Sequence, residues 1–270
     1  MKQFKKLVGV LAAAASISMV SQSASALIIG HYDNTRESYG LSTGYISGAA
    51  QALVDMGHTL VSTNSADAAF LGSVDAFYTG LISSVSQTEI DAMQDFVDVD
   101  GGFLFIQQDH DSGGWHGPSS DILSNWGIGN SAGTFSNDGG HYTVGSSAWV
   151  TDPNAVAGFS GSAHSTINVI PQGFEVIARD DQDRAIMGVF DAGAGRSSDV
   201  FVATDIDFWS NGYGWSDNRN QLLWENIWTA AATQIEDDDD DDQVEVSEPG
   251  TLALISLGLI GLGMSRRRKA

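Results

Sequence analysis

Ser86-Gln87-Thr88-Glu89 opens, and Gly101-Gly102-Phe103-Leu104-Phe105-Ile106-Gln107-Gln108-Asp109 closes, the stretch that decides the fold. The Ser86 hydroxyl is placed to accept from the first free N–H groups of a helix. Glu89, three residues on, returns the bond to the Ser86 backbone, which makes a capping box. Ile90, Met93, Phe96 and Val97 follow at helical spacing, so the helix buries one face. Gly101-Gly102 stops it, and the four apolar residues from Phe103 to Ile106 are too few for a helix and read as a buried strand.

The same alternation continues on both sides. Upstream, Leu27-Ile28-Ile29 is a short strand ending at His31-Tyr32-Asp33, and Gly44 to Met56 is a helix through Ile46, Ala49, Ala50, Leu53 and Val54 that stops at Gly57. Thr59-Leu60-Val61 and Val74 to Tyr78 are the next strands. Downstream, Phe174 to Arg179 and Ala185 to Phe190 flank Asp180-Asp181-Gln182-Asp183-Arg184 as a hairpin. Gly193-Ala194-Gly195-Arg196 turns into the strand Val200 to Thr204, and Asn220 to Ala232 closes the domain as a helix. This order predicts an α/β fold, a mostly parallel sheet with helices on both faces and an antiparallel hairpin addition.

Strand, helix, strand, strand, then a capped helix ending in Gly-Gly before an apolar strand resembles the class I glutamine amidotransferase-like fold. Gly195-Arg196, the strand after it, Thr204-Asp205 and the Asn-rich entry at Asn218 to Asn226 resemble its non-catalytic branch. A flavodoxin-like domain of unrelated ancestry would share many of these signals. The catalytic members of the resembled fold carry a cysteine after the strand matching Phe103 to Ile106. Gln107-Gln108-Asp109 stands there, and the chain has no cysteine at all, so thioester chemistry has no nucleophile.

Both ends of the chain read as addresses. Lys2, Lys5 and Lys6, the apolar run Leu7 to Val20 and Ala24-Ser25-Ala26 form a signal peptide over 1–26, with cleavage expected between Ala26 and Leu27. Export through the Sec machinery follows from that reading. At the other end, Val246-Ser247-Glu248-Pro249 leads into an apolar helix over 251–264 and the basic stop Arg266-Arg267-Arg268-Lys269. The apolar run Leu252 to Met264 spans about 20 Å at 1.5 Å per residue, short of a hydrocarbon core of about 30 Å. Such a segment suits transient inner-membrane association. The tail over 246–270 resembles the PEP-CTERM signal of Gram-negative bacteria, with Ser247-Glu248-Pro249 in place of Pro-Glu-Pro. The resemblance implies processing by exosortase and a place on the cell surface or in the exopolysaccharide matrix.

Between the two addresses lie a domain over 27–235 and an acidic linker over 236–245, which Glu236 and Asp237 to Asp242 should keep extended. From Leu27 to Pro249 there are five arginines, no lysine and all 34 carboxylates of the chain, a formal charge of −29. Such a surface repels nucleic acid and anionic lipid, and favours cations.

In open α/β sheets ligands bind beyond the carboxyl ends of the strands. Asp33, Asp109 with Asp111, and Asp205 with Asp207 all fall there. Oxygen ligands of this kind suit calcium or magnesium, so Asp33, Asp109, Asp111 and Asp205 are the candidate metal ligands, with His31, His110 and His116 as nitrogen donors that would shift the preference towards zinc or manganese. Position twelve of the Asp109 loop is Ser120, where an EF-hand needs Glu. The ordinary use of Asp at such positions is as N-cap and turn former. Aromatic residues accompany the acids: Trp115, Trp209, Tyr213 and Trp215 sit in glycine-rich loops, where rings can stack on sugars beside hydrogen-bonding acids. The candidate ligand-binding set is therefore Asp109, Asp111, Trp115, Asp205, Asp207, Trp209, Tyr213 and Trp215. Gly129-Asn130-Ser131-Ala132-Gly133 matches G-x-S-x-G, with Asp152 and His164 after it, but no buried strand precedes it and no helix follows. The sequence points to an exported binding domain for carbohydrate or another extracellular ligand. The alternatives are a metal-assisted hydrolase whose metal-activated water is held by some of Asp33, Asp109, Asp111, Asp205 and His110, or a purely structural matrix component.

Overall fold

The capping box forms as the sequence requires. In the computed structural model, which describes residues 25–110, 114–136, 141–192 and 196–240, the Ser86 side chain accepts from the Glu89 N–H and Glu89 bonds back to the Ser86 backbone. In chain order the elements are β1 (Ile28–Tyr32), β2 (Glu37–Tyr39), α1 (Ser47–Asp55), β3 (Thr59–Thr63), α2 (Ala68–Leu71), β4 (Ala76–Tyr78), β5 (Leu81–Ile82) and α3 (Gln87–Asp98). β6 (Phe103–Gln107), α4 (His116–Ser124), β7 (Gly129–Ser136), β8 (His141–Val144), α5 (Ala148–Thr151) and β9 (Gly158–Ser160) follow. The chain continues with β10 (Ala163–Val169), β11 (Phe174–Arg179), β12 (Ala185–Phe190), β13 (Val200–Ala203) and α6 (Asn218–Asp240). Short 3₁₀ turns at Gly44–Ile46, Ile206–Phe208 and Gly214–Ser216 shape the loops.

The sheet runs β3-β1-β4-β6-β13-β12-β11-β8-β9, parallel from β3 to β13 and antiparallel from β12 outward. β6 lies in the middle, with Phe105 opposite Tyr78 on one side and Phe201 on the other. Its side chains divide by parity. Phe103 and Phe105 join Leu53 of α1 and Trp224 and Trp228 of α6, whereas Leu104 and Ile106 join Ile90, Met93, Phe96 and Val97 of α3. A strand covered on both faces has no polar side, which is why the run is continuously apolar.

The antiparallel part is larger than the single expected hairpin. β11 and β12 form that hairpin, with Asp183 in the left-handed region at φ 62°. β10 adds to β12, and β7 to β10, through a register with two irregularities. β7 reads Gly-Asn-Ser-Ala-Gly-Thr-Phe-Ser, without the apolar alternation that marks a strand, so its sequence looks like a loop. Ser131 lies inside β7, opposite Thr166, and not at a strand-to-helix elbow.

Residues up to Glu236 form one unit by their contacts. α6 carries on through the first acidic residues to Asp240. The rest of the expected linker, the signal peptide up to residue 24 and the tail from 246 onward lie outside the described residues. Among the described residues no helix is long and apolar enough to cross a membrane.

Candidate ligand-binding edge

The carboxyl ends of β6 and β13 meet at a hydrogen-bonded knot. Gln107, the last residue of β6, donates through Nε2 to the carbonyls of Gln108 (2.7 Å) and Ala203 (3.2 Å). Its Oε1 accepts from the Trp209 indole N–H at 3.0 Å. Trp209 has no exposed surface and packs against Trp224 at 4.8 Å between ring centres. It is therefore a core residue, which corrects its assignment to the ligand-binding set; its glycine-spaced loop looks exposed only in sequence.

Three aromatic rings close the edge. Tyr39 meets Tyr45 at 4.5 Å and Trp115 at 5.3 Å between centroids, each edge-on. All three are half-buried and lean on the core. The Tyr45 hydroxyl donates to Asp207 Oδ1 at 2.5 Å. Ser119, which accepts from Gln108 Nε2 at 3.1 Å, donates to the Trp115 carbonyl at 3.3 Å. A rim thus runs from Trp115 through Tyr39 and Tyr45 to Asp207, and back from Gln108 through Ser119.

Backbone N–H groups hold the buried acids of this rim. Asp109 is 6% exposed, and its Oδ1 accepts the His110 N–H at 2.6 Å. Burial pushes its carboxyl up to about 7, and the nearby Asp207 charge adds to the rise. Asp205 is fully buried. It caps the 3₁₀ turn by accepting from Asp207 N at 2.7 Å, and its other oxygen accepts Ser162 N at 2.7 Å. Burial first, then Asp109 and Asp207, raise it well above the carboxylate range.

Glu37 is a further buried acid at this end of the sheet. Its carboxylate accepts from the Ser42 hydroxyl at 2.9 Å, but Oε1 has no hydrogen-bond partner, and burial raises its pKa strongly. The group lies between two glycines. A Cβ at Gly40 or Gly80 would fall 2.2 or 2.3 Å from its oxygens, and Gly80 has φ +58°. Glu37, Tyr39 and Tyr45 were absent from the sequence-derived set, although the loop after β1 ends at the same edge and the rule that singled out Asp33 covers it.

The described members of the expected metal set are not gathered as ligands. Asp33 is half-buried and closes a turn by accepting from Thr35 N (2.9 Å) and Thr35 Oγ1 (2.6 Å), bonds that lower its pKa. The charges that act on Asp205 are Asp109 and Asp207. His31 is buried in β1 and tied to the Tyr32 carbonyl at 2.7 Å, and His110 Nε2 stands 4.0 Å from Asp109. Among the described residues no group of three His, Asp or Glu side chains is arranged to hold a metal ion. Asp111 lies outside the described residues.

The loop from Asp205 to Trp215 leaves the edge before it ends. Tyr213 is 58% exposed, and Trp215 lies against Gly48 of α1. The structure therefore joins Asp109, Trp115, Asp205 and Asp207 at the edge and sends Trp215 to a different surface.

Comparison with known proteins bears on the tail and on the fold separately. Residues 245–269 match the family model of the PEP-CTERM protein-sorting motif. That motif implies an exported, cell-surface protein of a Gram-negative bacterium, sorted by exosortase. A search of curated proteins finds no match to the sequence. Among solved structures, the mmIFT52 N-terminal domain superimposes with a TM-score of 0.63 at 11% identity, over 76% of this chain and 97% of that one. A GMP synthase subunit from Thermoplasma acidophilum gives 0.51 at 8% identity, over 80% and 99%. A ThuA-like protein from Bacteroides uniformis gives 0.50 at 12% identity, over 74% and 89%. At such identities the likeness is one of fold, the flavodoxin-like, glutamine amidotransferase-like α/β fold.

Proposed function

We propose that the exported domain is a non-catalytic binding module that takes an extracellular carbohydrate at the carboxyl edge of its sheet. The observation that carries this reading is the rim of half-buried rings, Tyr39, Tyr45 and Trp115, closed onto Asp207 and Asp109. Rigid rings offer a face to the apolar side of a sugar at low entropy cost, and the acids meet its hydroxyls. Neutral Asp109 can donate as well as accept, which a carboxylate cannot. The residues at the amidotransferase nucleophile position, Gln107-Gln108-Asp109, supply hydrogen bonds and no thiol.

Processing at both ends belongs to the same reading. Burial begins at Leu27, 2% exposed, while Ala26 is exposed, so cleavage after Ala26 would leave the folded domain whole. Release by exosortase near Ser247-Glu248-Pro249 would free it into the polysaccharide layer that holds its ligand. A glycan array followed by calorimetry tests the proposal. A glycan that binds wild type should lose about tenfold or more at this site in Trp115→Ala, the order of 1.4 kcal/mol or more. Unchanged binding at every site in that variant would overturn it.

A further inference from the structure

We propose that the groove between α1 and α6 is a second saccharide site, with the Trp215 indole as the platform for a neutral sugar ring. The groove is open to solvent and offers about 500 Å³, within the range of roughly 300–1,000 Å³ typical of small-ligand sites. It uses none of the edge residues, though it rests on the reading of the domain as a carbohydrate binder.

Trp215 reaches this surface because α1 has a glycine where the ring lies. A Cβ on Gly48 would fall 2.2 Å from Trp215 Nε1 and 2.3 Å from Cδ1. The loop carrying the ring is pinned to α1 through Asn211. Its Oδ1 accepts Gly48 N at 3.0 Å, and its Nδ2 donates to Gly44 O at 2.7 Å and Ser47 Oγ at 2.9 Å. From α6, Gln221 Nε2 donates to the Trp215 carbonyl at 2.7 Å. The half-buried ring is thus fixed before any ligand arrives, and little ordering entropy remains to oppose binding.

The polar groups around the ring are oriented in the same way. Gln51 Nε2 donates to Asp55 Oδ1 at 2.9 Å across one turn of α1, and Asn154 Nδ2 donates to Glu225 Oε2 at 3.3 Å. Each carboxylate is steered by an amide and keeps its other oxygen for a ligand. With the amide oxygens of Gln51 and Gln221, they make the groove rich in acceptors, the complement of sugar hydroxyls, which can all donate. Among the described residues no cationic side chain lines it. Asp55 and Glu225 would repel a uronic acid, so the site selects neutral chains.

Calorimetry on the full chain with neutral hexasaccharides, namely β-1,4-glucan, β-1,4-mannan and α-1,4-glucan, and with a polyuronate hexamer decides the matter. At least one neutral hexamer should bind, with one equivalent lost in Trp215→Ala and that same equivalent kept in Trp115→Ala. The doubly substituted Gln51→Ala/Asp55→Ala chain alters only exposed positions on α1. It should weaken that equivalent about threefold or more with an unchanged melting temperature, which separates recognition from any folding defect of Trp215→Ala. The groove is refuted if no neutral hexamer binds at millimolar concentration, if Trp215→Ala removes no equivalent, or if the polyuronate binds as tightly. Binding lost in Trp215→Ala but indifferent to Trp115→Ala upholds the groove and refutes the edge; the reverse pattern upholds the edge alone.

Discussion

Glu89 at the head of α3 and Asp109 at the end of β6 are both almost fully buried acids, 5% and 6% exposed. Their surroundings differ. Glu89 accepts from Ser86 N at 3.0 Å, Ser86 Oγ at 2.9 Å, Tyr32 OH at 3.1 Å and Ala66 N at 3.3 Å, and pairs with Arg36 at 3.2 Å. Burial alone would raise its pKa, but these donors and the guanidinium outweigh it and hold the group at about 2. Asp109 accepts one backbone N–H, from His110, and has the Asp207 charge beside it, so burial wins and pushes it up to about 7. Glu37 and Asp205 follow Asp109. An acid that is capped and paired is part of the scaffold. Acids kept in the dark without counter-charge cost stability, and here they gather where the sheet offers a ligand edge.

Removing the paired acid should cost most. Glu89→Ala leaves Arg36 without its counter-charge and several buried donors without an acceptor, and the loss is expected at about 3–5 kcal/mol by denaturant unfolding at pH 7. A loss under about 1 kcal/mol would erase the distinction between the two regions. Because its folded pKa lies below the unfolded value, the stability from Glu89 is present above about pH 4.5 and falls away as pH drops toward 2.

Asp109 should give the opposite sign. Its folded pKa lies above the unfolded value, so its contribution is fully present below about pH 4 and is lost as pH rises through 7. Asp109→Asn keeps the size of the side chain and an oxygen for the His110 N–H, but removes the ionisation. The variant should be more stable than wild type at pH 8, on the order of 1–3 kcal/mol, with the two converging near pH 4. Melting curves across that range would show it. A variant less stable at pH 8 would mean that the Asp109 carboxylate is stabilised by its site after all.

The scaffold was far more legible in the sequence than the edge. Ser86 and Glu89 act within a single helical turn, and Phe103 to Ile106 announces a doubly covered strand by composition alone. The tail around Glu248-Pro249 was similarly local. β7 and β10 were not legible, because Gly129 to Ser136 becomes a strand only through its long-range pairing with Ala163 to Val169. The edge was half legible. The strand-end rule found Asp109, Trp115, Asp205 and Asp207, but burial cannot be read from a loop's composition, so Trp209 looked available and Glu37 went unnoticed. Trp215 failed for a subtler reason: the loop that starts at the edge is drawn over to α1 by Asn211 and by the missing side chain at Gly48.

The smallest expected effect is at the junction between rim and acids. Tyr45→Phe removes the hydroxyl that donates to Asp207 but leaves the Tyr45 ring against Tyr39. Asp207 is half-buried and can exchange that donor for water, so the cost should be about 0.5–1.5 kcal/mol, well below that of Glu89→Ala. The nearby negative charge would remain, so the Asp109 titration, followed by carboxyl NMR, should stay close to 7. If Tyr45→Phe instead moved that midpoint by a full unit or cost as much as Glu89→Ala, the edge would be a tightly coupled network like the Glu89 corner. Its acids would then belong to the scaffold, and their burial would no longer speak for a ligand.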